Sequence, residues 1–351
     1  MVKNDTSDAR LLQLPKVDLH VHLDGSVKPA TVLELARRQG IALPADTAEG
    51  LLPYMQVSDD CESLTEYLSK FQFVLRFMQQ AEAIERIAYE LVEQAAQENV
   101  IYIEVRFGPH LHTQEGLLVE QAIEAALAGL ARGEAEFGVV ARLIVISMRH
   151  ESEVVNAPVV AAAIRYRDAG VVAVDLAGDE AGFPASLFRG LFAPAKAADM
   201  PITIHAGEAA GAANIEEAIE HLGAKRLGHG VRLKEDGEVF RIVKNRGIPL
   251  EMCPISNMQT KAVSGWGVYP LRDYLRQGLK VTINTDNRTV SDSTLTKEYA
   301  LLMAHCGLTI EEIARTVQFS VEAAFVDETA RAALMAKLEQ ACRELGIALQ
   351  A

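Results

Sequence analysis

Short apolar segments and longer amphipathic segments alternate along this chain, and the pair recurs eight times. The apolar segments begin near residues 17, 100, 139, 171, 202, 226, 248 and 280, and helical periodicity follows each of them. Eight hydrophobic strands that alternate with helices predict an α/β fold, a closed parallel (β/α)8 TIM barrel. An open doubly wound sheet is the alternative, but it would not bring the polar ends of the first, fifth, sixth and eighth strands together.

The amphipathic segments predict the helices that surround this barrel. Their expected ranges are 28–38, 81–99, 118–137, 157–168, 187–199, 214–222, 235–245 and 268–277, with further C-terminal helices to about Gly346. Residues 41–80, after the first strand and its helix, are predicted as an insertion: a proline-containing loop and then an aromatic-rich helix over Leu64–Phe77. That helix either packs against the barrel or forms a lid. No linker or repeat interrupts residues 1–351, so we expect a single domain.

The first strand carries a pair of histidines that could form half of a metal site. Apolar and polar residues alternate from Val17 to His22, and side chains two positions apart on a strand project from the same face. His20 and His22 therefore project together near the end of the strand. Two histidines with this spacing and no other ligands are more often only hydrogen-bonded. The prediction of a metal site therefore depends on whether the other strands supply further ligands.

Other strands of the predicted barrel also end in polar residues, and strand ends are where such barrels carry their active sites. These residues are Asp24 after strand 1, Asp175, Gly178, Asp179 and Glu180 at strand 4, His205 and Glu208 at strand 5, His229 at strand 6, and Asn284, Asp286 and Asn287 at strand 8. Each alone has a plain explanation as a turn or helix-cap residue. With His20 and His22, four of the nine histidines lie at strand ends, and three imidazoles with one carboxylate from these ends form a donor set that suits Zn²⁺.

A metal of this kind would change the chemistry available to its neighbours. Water bound to it ionises near neutral pH and becomes a nucleophile. Glu208, three residues after His205, is placed to face a bound molecule, and in a dry pocket its carboxylic acid can give a proton to a ring nitrogen. His229 and Asp286 can orient the attacking water. This combination predicts hydrolytic attack on an aromatic C–N bond.

Composition narrows the class of partner. The chain has 34 basic and 48 acidic residues and a net charge of −14, which argues against a nucleic acid or an anionic membrane as partner. The four cysteines show no paired spacing, no apolar run reaches the length of a membrane span, and the N-terminus has no signal-peptide pattern. We therefore expect a cytoplasmic protein in a reducing compartment, and the sequence leaves its oligomeric state open.

Six motifs occur in an order that resembles the adenosine deaminase family of the amidohydrolase superfamily. They are Pro15–Ser26, Asp175–Glu180, His205–Glu208, Arg226–Gly230, Glu251–Pro254 and Asn284–Asp286. The resemblance extends from about Leu14 to beyond Phe325 and implies a (β/α)8 barrel. It implies that the substrate is a small-molecule purine nucleoside, adenosine or 2′-deoxyadenosine, which leaves as inosine or deoxyinosine with release of ammonia.

The same resemblance implies a role for each matching residue. One zinc ion per chain would be held by His20, His22, His205 and Asp286. Glu208 would protonate purine N1 while zinc-bound hydroxide attacks C6, with His229 steering or deprotonating the water. The implied substrate-binding residues are His22, Asp24 at the ribose 5′-hydroxyl, Gly178 at N3, Asn287 at N7, and a hydrophobic gate of Leu64, Tyr67 and Phe71. The gate favours the lid interpretation of the insertion.

One position departs from the best-known members of the family, which have a second aspartate where this chain has Asn287. Purine N7 can only accept a hydrogen bond, and an asparagine amide donates while neutral, whereas an aspartate must first hold a proton. We therefore expect the contact to be kept, with an effect on fine substrate choice. Arg288, also off the familiar pattern, is expected to be a solvated or paired loop residue.

Three other functions are weaker alternatives. A related deaminase would act on free adenine or on an N6-substituted or 5′-extended nucleoside, but the Leu23-Asp24-Gly25 triplet favours a nucleoside. A two-metal amidohydrolase would need a bridging lysine near the end of strand 4, which this chain lacks. A non-catalytic nucleoside-binding protein could lose Glu208 or a metal ligand, but this chain retains all of them. The absence of a Pro-Cys-x-x-Cys motif excludes the cytidine deaminase fold.

Overall fold

The computed structural model describes residues 9–58, 61 and 64–349, except for the side chains of Leu64 and Thr65. Within these residues lie eight β-strands, one near each position that the hydrophobic pattern predicts. They are β1 (Lys16–His22), β2 (Val100–Phe107), β3 (Val140–Met148), β4 (Val171–Ala177), β5 (Thr203–Ala206), β6 (Arg226–His229), β7 (Leu250–Met252) and β8 (Val281–Ile283). Nearly all of their residues are buried, which explains why they form apolar runs.

The strands pair in parallel as two four-stranded sheets, ordered β1-β2-β3-β4 and β5-β6-β7-β8. An isolated bridge from Val174 to Ile202 connects β4 to the chain just before β5, and Val174 N donates to Pro201 O at 3.1 Å. A second bridge, from Val21 to Asp286, connects β1 to the chain just after β8. The fold is therefore α/β with parallel strands, and the segment that follows β8 lies beside β1.

Fifteen α-helices connect or flank the strands in the described part of the chain. They are α1 (Arg10–Gln13), α2 (Pro29–Gln39), α3 (Ala48–Met55), α4 (Leu64–Leu75), α5 (Ala81–Ala96), α6 (Val119–Phe137), α7 (Glu153–Arg165), α8 (Arg189–Ala197), α9 (Ala212–Glu217), α10 (Gly237–Arg246), α11 (Pro254–Gln259), α12 (Leu271–Arg276), α13 (Leu295–Leu301), α14 (Ile310–Ala323) and α15 (Glu328–Leu345). Four of them separate β1 from β2, and three follow β8. None of these described helices is long and apolar enough to cross a bilayer.

The segment between α2 and α4 differs from the sequence prediction. A loop was expected after residue 41, but α3 occupies part of it. Thr47 begins this helix, because its side chain accepts a hydrogen bond from Gly50 N at 3.1 Å. Pro53 lies inside the helix and has no N–H to donate along it, so the proline that indicated a loop does not end this short helix.

Two further helices begin three or more residues away from the predicted start, and both differences involve prolines. α7 begins at Glu153 rather than at residue 157, and Pro158 lies within it, so the proline does not mark its start. α12 begins at Leu271 rather than at residue 268. Tyr269 is extended, with φ of −67° and ψ of 122°, because the residue before a proline is steered away from the helical region.

Candidate active site

The ends of β1 and β8 bring two histidines and an aspartate together. Backbone hydrogen bonds hold the two segments: His22 N donates to Asp286 O at 2.7 Å, and Asp286 N donates to His20 O at 2.8 Å. Asp286 has a left-handed backbone with φ of 57°, a conformation that clusters at functional sites. Its Oδ1 atom lies 3.5 Å from His20 Nε2 and 3.3 Å from His22 Nε2.

Strand β5 contributes a third imidazole to the same place. His205 Nε2 lies 3.3 Å from His22 Nε2. The parallel register sets His205 beside Gly228 on β6. A side chain at Gly228 would begin only 3.1 Å from His20 Cε1 and from His205 Cα, so the glycine leaves the space in which these imidazoles approach one another.

Two buried carboxylates hold His20 and His205 from behind. His20 Nδ1 lies 2.9 Å from Glu251 Oε2, and His205 Nδ1 lies 2.9 Å from Asp175 Oδ2. Burial acts to raise the pKa of these two carboxyl groups, but the cationic groups around them, Arg106 among them, hold both below the ordinary range. An ionised carboxylate can only accept, so each Nδ1 carries a proton, and in the neutral ring Nε2 then keeps its lone pair. Metal-binding histidines are oriented in this way.

The donor set formed by these four side chains fits a divalent metal ion. Ligand atoms of His20, His22 and Asp286 lie within 4.8 Å of one another. His20 Nε2 is buried and has no hydrogen-bond partner among the described residues, and a cation would satisfy it. Burial lowers the pKa of His20 to about 4 and that of His22 well below its ordinary value, so both rings are neutral and able to bind a metal at pH 7.

Glu208 lies beside this cluster in the turn that follows β5, and another carboxylate holds that turn. Glu180 accepts hydrogen bonds from the backbone N–H groups of residues 207–210, at 2.6 to 3.0 Å. Thr260 Oγ1 donates to Glu208 Oε1 at 3.1 Å. Burial raises the pKa of Glu208, which favours the protonated acid.

His229 ends β6 between Glu208 and the imidazole cluster. Its ring centroid lies 4.9 Å from that of His20 and 5.3 Å from that of His205. Its Nε2 atom lies 3.5 Å from Glu208 Oε2. The backbone of His229 is left-handed, with φ of 62°, so the histidine is held in a conformation that bulky residues rarely adopt.

A cavity of about 870 Å³ opens onto these groups, a volume typical of small-molecule sites. Its walls include most residues predicted for the site: His22, Asp24, Tyr67, Phe71, Gly178, His205, Glu208, His229, Asp286 and Asn287. His20 is fully buried behind this wall. The side chain of Leu64, predicted as part of the gate, lies outside the described residues.

Asp24 offers an acceptor on the wall of this cavity. Only 6% of the residue is exposed, and its Oδ1 atom has no hydrogen-bond partner within the described residues. Burial raises the pKa of Asp24 to about 6. This oxygen can therefore accept a hydrogen bond from a hydroxyl of a bound molecule.

Residues 15–341 match the adenosine deaminase family. The chain belongs to this family. Adenosine deaminase from Enterococcus faecalis is 41% identical over 334 residues, which span 95% of this chain and 98% of that protein. The geometry described above thus belongs to a member of the adenosine deaminase family, as the six sequence motifs predict.

Two solved structures extend this comparison. Adenine deaminase from Arthrobacter aurescens superposes with a TM-score of 0.88 at 27% identity, covering 94% of this chain and 99% of that one. An amidohydrolase from Burkholderia ambifaria with bound Zn superposes with a TM-score of 0.88 at 25% identity, covering 99% of this chain and 97% of that one. The α/β fold of this adenosine deaminase family member is thus shared along nearly its whole length.

The position at which this member of the family departs from the familiar pattern has a partner in the predicted gate. Asn287 Nδ2 donates to the hydroxyl of Tyr67 at 2.7 Å, which leaves one amide N–H for other contacts. Gly25 packs against the amide, since an added Cβ would lie 1.8 Å from Asn287 Oδ1. Arg288 is buried and paired with Glu98, so it is a paired residue rather than a solvated one.

Sequence reasoning missed several residues that support this site. The motifs contain Asp175, Glu180 and Glu251, but their roles as partners of other site residues require the folded structure. Thr260 and Asn257 follow the Glu251–Pro254 motif by a few residues and lie on or just after α11. Their side chains are 8% and 0% exposed, and burial of a polar group requires a partner, but this burial is visible only in the folded structure and the sequence carries no signal for it.

Proposed function

We propose that this protein hydrolyses adenosine and 2′-deoxyadenosine to inosine or deoxyinosine and ammonia. The observation that carries this proposal is the convergence of Glu208 and four metal-ligand side chains at one cavity: His20, His22, His205 and Asp286. The identity of 41% to an adenosine deaminase over nearly the whole chain supports adenosine as the substrate. The partner is thus a small-molecule purine nucleoside.

The fold supports this function by bringing the two sheets to one site. The bridges between β4 and β5 and between β8 and β1 favour a closed (β/α)8 barrel that forms one domain, with extra helices after β1 and at the C-terminus. Tyr67 and Phe71 on α4 lie on the cavity wall, which favours α4 as part of a lid. A lid excludes water from the reacting groups once the nucleoside is bound.

One zinc ion per chain, held by His20, His22, His205 and Asp286, would complete the site. Neutral imidazoles and an ionised carboxylate are the ligands that zinc prefers, and the related amidohydrolase from Burkholderia ambifaria contains bound Zn. When bound, the metal ion supplies Lewis-acid activation of water at neutral pH. These four side chains would be one more than the three protein ligands that are common in catalytic zinc sites.

Glu208 is the acid that protonates purine N1. Its buried carboxyl group favours the protonated form, and Thr260 donates to Oε1, so the proton to be delivered resides on Oε2. His229 and Asp286 orient the attacking water toward C6. Proton transfer to N1 places positive charge on the ring as the C6 bond forms, and this lowers the barrier to attack.

The remaining wall residues bind and orient the nucleoside. Asp24 accepts from the ribose 5′-hydroxyl, the backbone N–H of Gly178 faces purine N3, and the free N–H of Asn287 faces N7. Tyr67 and Phe71 form the apolar gate. These contacts fix which ring atom Glu208 protonates, because they hold the purine from three sides.

Deamination of a related 6-aminopurine is the second candidate. The structural neighbour from Arthrobacter aurescens is an adenine deaminase, and its TM-score of 0.88 favours free adenine as a competing substrate. Asp24 favours a nucleoside, because its unpartnered oxygen needs a hydroxyl that adenine does not have. A panel of adenosine, deoxyadenosine, adenine and N6-methyladenosine, assayed for ammonia release with and without a chelator, distinguishes the two.

Replacement of Glu208 tests the proposed acid directly. Glu208→Gln keeps the size and the hydrogen bond from Thr260, but its amide cannot supply the carboxyl proton, so we expect kcat to fall by about 10³-fold. Zinc content should stay at one ion per chain. The exposed Glu216→Gln is the control, and it should keep the activity of the unchanged protein. Near-normal turnover in Glu208→Gln would remove Glu208 from its role.

A further inference from the structure

Behind His229 lies a row of buried polar side chains that the proposed mechanism does not use. Asn257 Nδ2 lies 3.0 Å from His229 Nδ1, and Tyr269 donates from its hydroxyl to Asn257 Oδ1 at 3.0 Å. All three residues are at most 5% exposed. Asn257 lies on α11 and Tyr269 just before α12, so two segments beyond β7 converge on a histidine at the end of β6.

The hydroxyl of Tyr269 decides which way the Asn257 amide faces. Burial raises the pKa of Tyr269 well above its ordinary value, so the hydroxyl keeps its proton and must find an acceptor. Among the described residues, Asn257 is the hydrogen-bond partner of this hydroxyl. If the amide were turned over, its N–H₂ group would face the hydroxyl oxygen, and the hydroxyl hydrogen would have no acceptor. The amide oxygen therefore faces Tyr269, and the amide nitrogen faces His229.

This orientation determines where the imidazole proton of His229 lies. The amide nitrogen can only donate, so His229 Nδ1 must accept and carries no proton. A neutral imidazole has one N–H, which must then be at Nε2. The opposite arrangement holds for His20 and His205, whose Nδ1 atoms face carboxylates and therefore carry the proton.

We propose that Asn257 and Tyr269 are positioning residues that hold His229 as the neutral Nε2–H tautomer, so that His229 is a hydrogen-bond donor in the active site and not a proton acceptor or a metal ligand. His20 and His205, in ring contact with it, carry their proton at Nδ1, so in the neutral rings the lone pair is at Nε2. His229 presents a hydrogen there, on the side where Glu208 Oε2 lies 3.5 Å away. It therefore stabilises negative charge on the attacking oxygen, while the proton that this water loses passes to the carboxylate of Asp286, the other group that orients it.

The inference rests on the proposed deamination for its catalytic meaning, but the tautomer itself is measured without substrate. The zinc-loaded protein, labelled with ¹⁵N at histidine, is studied by two-bond ¹H–¹⁵N correlation spectroscopy. Protonated and unprotonated ring nitrogens resonate far apart, and the spectrum of His229→Gln assigns the signals of His229 by their loss. We expect an unprotonated Nδ1 and a protonated Nε2. A protonated Nδ1 in the unchanged protein would overturn the inference, whether or not adenosine is deaminated.

Replacement of Asn257 provides the kinetic test. Asn257→Asp is nearly isosteric, but both of its oxygens accept, so His229 Nδ1 gains a proton and the donor at Nε2 is lost in the neutral ring. We expect kcat to fall by about 100-fold, with KM changed by less than about threefold, as for removal of a donor to a developing oxyanion. A purely structural role for Asn257 would leave the His229 signals of the variant unchanged, and that result would contradict the proposal.

A second pair of variants keeps the test decisive if Asn257→Asp does not fold. Tyr269→Phe removes the group that orients the amide, so the spectrum should show a mixture of tautomers and kcat should fall by about tenfold. Tyr274→Phe is the matched control, because its hydroxyl is also buried and hydrogen-bonded, to Lys234 N and Val231 O, but does not touch the Asn257 amide. It should keep the tautomer and the kcat. Equal kcat values for these two variants would argue against a positioning role.

Discussion

The carboxylate of Glu180 accepts hydrogen bonds from four consecutive backbone N–H groups, and one of these groups, 3.0 Å from Oε2, belongs to Glu208. Glu180 is buried and comes shortly after β4, whereas Glu208 is in the turn after β5. The turn reverses at Gly207, whose φ of 74° is left-handed. A single side chain on one strand end therefore sets the backbone that carries the proposed acid on the next.

Replacement of Glu180 should thus lower both stability and turnover. Glu180→Gln keeps the shape but turns one acceptor into an N–H₂ group that faces donors, so we expect the free energy of unfolding to fall by about 2–3 kcal/mol. Turnover should fall by about tenfold because Glu208 loses its fixed position. Urea unfolding and steady-state kinetics measure the two effects. Glu217→Gln is the control, since Glu217 accepts one backbone N–H, that of Ser186. Equal losses in both variants would contradict the proposed role of Glu180.

Glu251 should control the affinity for the metal ion. It accepts from His20 Nδ1, Thr203 and two arginines, and so fixes the ring whose Nε2 faces the metal position. In Glu251→Gln a neutral amide replaces the charged carboxylate opposite His20 Nδ1, so the ring is oriented less firmly. We therefore expect zinc affinity to weaken by about 10- to 100-fold. Competition with a zinc-binding dye measures this change.

The matched control for that experiment is Glu104→Gln. Glu104 is equally buried and accepts from Arg226 and from the Tyr102 hydroxyl, but it does not touch a histidine. Its replacement should cost stability while leaving zinc affinity within about threefold of the unchanged protein. If both variants lost affinity alike, the loss would come from the buried charge network and not from the orientation of His20.

The pairing of residues at the ends of the strands could be predicted from sequence because it depends on local periodicity. His20 and His22 share a face through the two-residue repeat of β1. The carboxyl ends of parallel strands in a predicted barrel lie at the same face, and this can be inferred without knowledge of any contact. Eight apolar runs predict eight strands for the same reason. The family resemblance then supplies the choice among the four histidines at strand ends.

Contacts between distant segments could not be predicted in the same way. Thr260 and Glu208 are 52 positions apart, and Asn287 and Tyr67 are 220 apart, so no periodicity connects them. Prolines misled the prediction of α3, since a proline within a short helix gives the same local signal as a loop. Tertiary packing decides whether such a segment is a helix or a loop, and local patterns in a single sequence do not show which distant residues pack together.

Tyr67 should connect α4, the proposed lid helix, to the loop after β8. Its buried hydroxyl accepts from Asn287 Nδ2 at 2.7 Å and lies 2.6 Å from Ser291 Oγ. Tyr67→Phe leaves both partners unpaired, so we expect a loss of about 1–3 kcal/mol in the free energy of unfolding. With α4 less firmly held, KM for adenosine should rise about three- to tenfold while kcat changes less. Tyr54→Phe, at an exposed position on α3, should change neither.

Comparison of adenosine with 7-deazaadenosine separates the two hydrogens of the Asn287 amide. One is donated to Tyr67, and the other is proposed to face purine N7, which 7-deazaadenosine lacks. We expect kcat/KM to fall by about tenfold for the deaza compound in the unchanged protein, the value of one hydrogen bond. Asn287→Ala should remove this discrimination. Equal kcat/KM for the two nucleosides in the unchanged protein would exclude the contact with N7.

His112 should make the protein less stable in acid independently of the metal ligands. Burial lowers its pKa to about 4, its Nδ1 lies 3.0 Å from Met78 O, and its buried Nε2 has no partner within the described residues. The folded state therefore holds the ring neutral, while the unfolded chain binds a proton below about pH 6.5. Because the unfolded state binds more protons between pH 6.5 and 4, stability falls as the pH falls through this window.

The expected size of this effect follows from the shift in pKa. Between pH 7 and pH 5 the unchanged protein should lose about 2 kcal/mol through His112 alone, since each pKa unit corresponds to about 1.4 kcal/mol. His112→Asn keeps a donor toward Met78 O but cannot titrate. The difference in free energy of unfolding between the unchanged protein and this variant should therefore be smaller at pH 5 than at pH 7 by this amount. Urea unfolding at both pH values measures it, and the metal ligands cancel in the comparison. A deficit for His112→Asn that stays constant with pH would contradict the assignment.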